Sequence, residues 1–398
     1  MVPATAMRPR ARLWMAAVIP VVLLSALLWL IVRSGPGDAL RGDNVPPVER
    51  LAFQRVTLDT AGIHAQVLND GPDPVTIAQV NVDDAFWSFH VDGPKTLTHL
   101  ARTTITVPYP WVHGETHRLK VMTATGVTFE HEIAVALPAP RASGRVLGVF
   151  TLVGIYVGVL PVAIGLLWYP LIGRLGRTGL DFVLALTIGL LLFLLADAVH
   201  EGIETAQALP GSFQGFALFA MAAAAAFLAL ETLGAWLRAR RQAVEGGQAR
   251  VLALLVAIGI GLHNFGEGLA IGAAFALGEA ALGTLLIVGF TLHNTTEGIA
   301  IVAPLARTRV RVADLVRLGL VGGVPTIFGA WLGGLVYSPV WSVVFLAVGA
   351  GAIAQVVAQI SRQLAGERPM MTFFSTRTAL AGLLAGFAIM YSTGMLVG

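Results

Sequence analysis

Between residue 145 and the C-terminus the sequence runs through eight apolar stretches. They lie at roughly 145–170, 180–200, 213–237, 250–276, 281–305, 312–336, 339–360 and 377–397. About 20 predominantly apolar residues suffice for an α-helix to cross the hydrocarbon core of a bilayer. Inside that core only structures that satisfy their own backbone hydrogen bonds persist, so each stretch is predicted to be a helix. The composition agrees: 56% of the 398 residues are hydrophobic and only 12% are charged. A further apolar run at 12–33 follows Arg8, Arg10 and Arg12. It is long for a signal-peptide core, and no clear small-residue cleavage site follows it. It reads as an uncleaved anchor with its N-terminus inside.

The segment between the anchor and the eight spans has a different texture. After a Gly/Pro-rich linker at 35–50, Val, Thr and Ile alternate with polar residues in Val56–Asp59, Ile63–Val67, Thr103–Val107 and Arg118–Val121. Asn69-Asp70-Gly71-Pro72 and Asp92-Gly93-Pro94 supply turns. Short strands at this spacing predict a small β-sandwich. The expected fold class is thus a polytopic α-helical membrane protein with a small extracytoplasmic β-sandwich. Its domains are a tail and membrane anchor at 1–34, a β-sandwich-like domain with linkers at 35–144, and an eight-span domain at 145–398.

Charge placement predicts sidedness. Arg174 and Arg177 follow the first of the eight spans, and Arg238, Arg240, Arg241 and Arg250 lie between the third and fourth. Arg307, Arg309 and Arg311 separate the fifth and sixth, and Arg362, Arg368 and Arg377 the seventh and eighth. The alternate loops carry neither Lys nor Arg. By the positive-inside rule the basic loops are cytoplasmic, which puts the β-domain and the C-terminus outside in a multi-pass plasma (inner) membrane protein. The basic flank of the anchor gives the same orientation. A net charge of +3 with arginines beside apolar spans gives no reason to expect a nucleic-acid partner. The absence of cysteine excludes disulfides and thiolate metal sites.

Against this background two hexapeptides stand out: His263-Asn264-Phe265-Gly266-Glu267-Gly268 in the fourth span and His293-Asn294-Thr295-Thr296-Glu297-Gly298 in the fifth. Each ionisable group in a bilayer costs a few kcal/mol or more, so such residues are functional by default. Helical spacing places His263 over Glu267 and His293 over Glu297. The repeat of about thirty residues matches a span plus a tight turn, so both sets fall at similar depth on antiparallel neighbours. Two imidazoles, two carboxylates and two amides at mid-membrane are a donor set for Zn²⁺, and also for Fe²⁺, Mn²⁺, Co²⁺ or Cd²⁺. Helix-tying polar contacts are the alternative role, for which Ser or Thr would serve at lower cost.

The second span ends in Asp197-Ala198-Val199-His200-Glu201-Gly202-Ile203-Glu204, an acidic, His-containing face that would gather cations at the outer end. Glu231 stands alone in the third span and reads as a polar contact. Gln355 and Gln359 share a face of the seventh span, where they either lend an amide oxygen to the metal or tie helices together. The six histidines between His64 and His131, His113 and His117 among them, belong to the β-domain.

The paired motifs resemble those of the ZIP family of divalent-metal transporters, over residues 145–398. The resemblance implies an eight-span core with both ends outside. It also implies metal ligation by His263, Asn264, Glu267, His293, Asn294 and Glu297, and a family-like end to the second span at Asp197, His200 and Glu201. The motif proline of the family is replaced by Gly266 and Thr296, and Gln355 stands nearest to the carboxylate many members carry in the seventh span. The implied function is transport of divalent metal, Zn²⁺ first, toward the cytoplasm, often as a homodimer. The metal is then cargo, with no catalytic cofactor and no enzyme activity, and the partners are metal ions and membrane lipid. Two other readings stay open at this point: an intramembrane metal-dependent hydrolase, although no H-E-x-x-H is present, and a metal sensor acting through the β-domain.

Overall fold

The computed structural model describes residues 9–34, 46–140, 142–241, 246–365 and 374–395. The basic tail through Arg8, most of the 35–50 linker, and Arg368 lie outside the described residues. The chain forms two compact units, Met1–Val48 and Glu49–Gly398. The first contains one helix, Pro9–Ser34, with an apolar, exposed stretch at Val18–Leu30.

The second unit holds a small β-region and the apolar helices. The β-region comprises nine strands: β1 (Leu51–Asp59), β2 (Gly62–Asn69), β3 (Val75–Val82), β4 (Ala85–Trp87), β5 (His90–Val91), β6 (Thr96–Leu97), β7 (Arg102–Val107), β8 (His117–Thr123) and β9 (Thr128–Ile133). They form two antiparallel sheets, ordered β1-β2-β7-β5 and β4-β3-β8-β9, with β6 paired to β3. Alternation decides which face is buried: Thr103, Ile105 and Val107 of β7 point inward while Arg102, Thr104 and Thr106 do not. Ile63, Val67 and Ile105 of one sheet meet Ile77, Val80, Leu119 and Val121 of the other in a single core. Asp83 and Asp84 close the β3–β4 hairpin with φ of 51° and 63°, the left-handed pair that a two-residue turn needs.

Among the described residues eight helices are long and apolar enough to cross a membrane: Gly144–Ile172, Arg177–Gln207, Gly211–Arg240, Gly247–Ala276, Leu282–Leu305, Val312–Leu335, Pro339–Ala365 and Arg377–Met395, spans one to eight below. The protein is therefore a polytopic helical membrane protein with a small β-sheet region. Lipid is as apolar as leucine, so helices in a membrane associate through close packing of small residues. Here glycines stitch the spans into two groups. In the first, Gly165 of span one abuts Gly298 of span five, and Gly268 of span four abuts the Thr326 carbonyl of span six. In the second, Gly386 of span eight abuts Leu186 of span two, and Gly351 of span seven abuts Ala223 of span three. Spans four and seven join the groups where Gly259 meets Val356 and Gly349 meets the His263 backbone.

Two spans are broken. Span one passes through a π-helical turn at Ile155–Val159 just before Pro161. Span six ends one helical piece at Gly323 and starts another at Pro325. Proline removes a donor and cannot continue the ladder behind it, so each break frees carbonyls inside the bundle.

Replacing Gly268 by Ala would drive a Cβ into the Thr326 backbone, whereas a Cβ on Gly148 meets nothing within 4 Å. Gly268→Ala is expected to cost about 1–3 kcal/mol as an overpacking change, seen as a lower unfolding temperature in detergent, while Gly148→Ala leaves that temperature unchanged.

Candidate metal centre

Spans four and five run as unbroken α-helix through both motifs, past Gly266 and Thr296. Regular helix keeps the i,i+4 relation, and His263 Nε2 lies 3.2 Å from Glu267 Oε1. The second histidine does otherwise: His293 Nε2 lies 2.5 Å from Glu267 Oε1 across the helix pair rather than on Glu297 of its own helix. Asn294 Nδ2 donates to Glu267 Oε2 at 2.9 Å. Glu267 is therefore the hub, drawing three partners from two spans. His263, Glu267, His293 and Glu297 each offer one ligand atom within 4.8 Å of all the others, and all four are buried. Asn264 and Asn294 are fully buried beside them.

The asparagines are anchored by the broken spans. Asn294 Nδ2 also donates to the Val157 carbonyl at 3.0 Å. Val157 stands four residues before Pro161, which has no N–H to return. Asn264 Nδ2 donates to the Gly322 carbonyl at 3.0 Å, beside the break before Pro325. With their amide nitrogens tied back, both asparagines keep a buried Oδ1 without a hydrogen bond, and both carboxylate oxygens of Glu297 are buried and equally unpartnered. Four buried acceptors in two short motifs lack a donor.

Asp197 and Glu201 join this site. They line a small inner cavity of about 10 Å³ with His263, Glu267, Phe290 and Phe345. A wider cavity of about 500 Å³ continues outward past His200, Glu204, Glu279 and Tyr337. Asp197, Glu201, Phe290 and Leu346 line both cavities, so the acidic face of span two forms a bridge between the mouth and the histidines. His200 stays at the mouth, exposed, 3.9 Å from Glu204. Gln355 is not brought to the cluster. Its Nε2 donates to Glu231 at 3.1 Å and to Gln359 at 2.7 Å, in a network closed by Arg362 and Arg238 on Glu231. Glu231 is thus partnered rather than alone.

The β-region seats on the loops around the mouth. Asp70, in the β2–β3 turn, accepts from the Gly211 N–H at 3.0 Å and the Ser212 N–H at 3.1 Å, in the turn that follows span two. Gly278, between spans four and five, faces Val135 and Leu137. Arg55 of β1 lies close enough to Tyr337, between spans six and seven, to act on its charge. Burial, aided by Glu279, pushes the Tyr337 phenol up from its ordinary range, and Arg55 opposes the shift.

Sequence reasoning missed two features. The Val157 and Gly322 carbonyls that hold the asparagines lie beside the helix breaks near Pro161 and Pro325, and prolines inside apolar runs were the available signal. The docking of Asp70 had no local signal beyond a turn residue. No family model and no curated protein matches the sequence.

Partial burial works against ionisation of Asp70, but hydrogen bonds from Ser212 and Gly211 outweigh it and hold the carboxyl below its ordinary range. Its contact is therefore complete above the usual carboxylate pKa and is lost only as pH falls through the lowered value. Amide hydrogen exchange should find Gly211 and Ser212 protected at neutral pH, and faster in Asp70→Ala with the helical amides of spans four and five unaffected.

Proposed function

We propose that this protein carries divalent metal ions across a membrane, with Zn²⁺ the leading candidate and Fe²⁺, Mn²⁺ and Cd²⁺ as others. The observation that carries the reading is the set of orphaned acceptors. Leaving a carboxylate buried without hydrogen bonds or a countercharge costs several kcal/mol. Glu297 has two buried carboxylate oxygens without a hydrogen bond, and Asn264 and Asn294 one amide oxygen each, beside two imidazoles and a second carboxylate. A divalent cation compensates all of them at once and prefers this nitrogen and oxygen donor set. The acidic stretch from Glu204 through Glu201 and Asp197 offers it a route in from the mouth.

The dimensions support ion passage over hydrolysis. The inner cavity of about 10 Å³ accepts a body the size of a water molecule and excludes a peptide or lipid chain. A sensor centred on the β-region draws less support. Among the described residues no group of three or more His or carboxylates of ligand geometry forms there. His64 and His117 are instead paired with Asp59 and Asp83.

In this reading the chain is a ZIP-like importer in the plasma membrane. The arginine-rich loops face the cytoplasm, and the β-region, the mouth and the C-terminus face outward. Spans one, four, five and six, which glycine contacts bind together, carry the site as a body against spans two, three, seven and eight. Alternating access needs such a division around a site at mid-membrane.

The test is metal uptake into proteoliposomes with Zn²⁺, Mn²⁺, Fe²⁺ and Cd²⁺. Glu267→Ala/Glu297→Ala and His293→Ala are expected to reduce flux to that of empty liposomes while the protein remains folded. Undiminished flux would refute the proposal, and tight binding without flux in the parent protein would point to a sensor or an enzyme. Glu297→Gln is expected to abolish flux without lowering thermal stability, because the buried Glu297 oxygens make no hydrogen bond that the substitution would break.

A further inference from the structure

At the opposite end of the bundle from the mouth, spans four, five and six enclose a cavity of about 280 Å³ that takes no part in the metal path. Arg250, Asp314 and Arg317 line its outer rim, and Leu254, Leu318 and Val321 line it one to two helical turns deeper. On span six, Asp314, Leu318 and Val321 recur at helical spacing, so a single face grades from charged to apolar. The same gradation appears on span four between Arg250 and Leu254.

Arg250 is not a surface arginine reaching for water. Its Nη2 donates to the Arg309 carbonyl at 3.1 Å, which fixes the guanidinium, and its Nε is buried with no hydrogen-bond partner. An arginine that merely snorkels swings its head into solvent; here the contact to Arg309 holds the guanidinium at the cavity lining. Arg317 holds Asp314 only loosely, at 3.4 Å, and is otherwise exposed. Two guanidinium groups against one carboxylate leave one positive charge at the rim.

We propose that this cavity binds the phosphate of an anionic phospholipid, with the adjoining part of its acyl or glycerol portion against the leucines. A phosphodiester carries one negative charge and supplies acceptors for the guanidinium groups of Arg250 and Arg317 that line the cavity. Guanidinium matches such an oxyanion in geometry as well as in charge. A metal cation is excluded by the two arginines. Free phosphate would gain nothing from Leu254, Leu318 and Val321, whereas a lipid buries apolar surface there. The location suits a lipid: the cavity lies at the ends of three spans, beside the basic loop at 306–311, where a headgroup meets the protein.

The experiment is native mass spectrometry of the full-length protein in neutral detergent. It is titrated with phosphatidylglycerol, with phosphatidylcholine, and with phosphatidylglycerol in the presence of millimolar inorganic phosphate. Retention of phosphatidylglycerol is expected to exceed that of phosphatidylcholine by about five-fold per engaged arginine. The excess should disappear in Arg250→Gln/Arg317→Gln and shrink in Arg317→Glu. The latter alters an exposed group and keeps the test valid if the double variant does not fold. Inorganic phosphate should leave the excess intact. Equal retention of the two lipids, an excess undiminished in Arg317→Glu, or displacement by inorganic phosphate would each overturn the assignment. Metal uptake does not enter this measurement, so its outcome is separate from that of the transport proposal.

Discussion

The carboxylate of Glu267 is the point on which the interior depends. It sits where a charge without partners would cost several kcal/mol, and it is stabilised by His263 from its own helix and by His293 and Asn294 from the next. Those partners must come from two spans at one depth, so the pair of spans is locked in register by the same contact that makes the charge tolerable. The asparagines extend the constraint. Each uses its amide N–H to satisfy a carbonyl released by a broken span, Val157 in span one and Gly322 in span six. Four helices are thereby coupled through one polar cluster in an otherwise apolar bundle.

That coupling leaves an asymmetry between two carboxylates of identical sequence context. Glu267 draws three close partners, whereas neither oxygen of Glu297 makes a well-formed hydrogen bond. The cause lies in the direction His293 takes: it reaches across to span four, and the i,i+4 partner on its own helix is left bare. A polar cluster built only to hold helices together would satisfy all its members, since a half-satisfied buried network is worse than an apolar one. The unfilled acceptors set this cluster apart from such a network, and the proposed function rests on them.

The two ends of the bundle carry opposite chemistry, and each is finished by a different part of the chain. At the mouth, Glu204, Glu201 and Asp197 lead inward, and the β-region sits over the surrounding loops through Asp70, Arg55 and the strand-to-helix connection near Leu137. At the far end arginines dominate, and Arg250 and Arg317 line an amphipathic cavity. The two cavities differ in the charge around them, and they do not share a residue.

The number of spans, the β-character of the segment near 51–133 and the grouping of His, Asn and Glu by helical spacing were legible in the sequence. Each rests on a local rule: bilayer thickness sets helix length, strand pleating sets alternation, and 3.6 residues per turn sets which side chains share a face. Partner choice was not legible. That His293 meets Glu267 rather than Glu297, that Gln355 joins Glu231 and Arg362 rather than the cluster, and that the asparagines reach the Val157 and Gly322 carbonyls beside the two helix breaks, all depend on which helix faces which at a few ångströms. The seating of Asp70 on the turn after span two joins residues 141 and 142 positions apart. Such contacts are fixed by the packing of whole spans against one another, and no local periodicity encodes them.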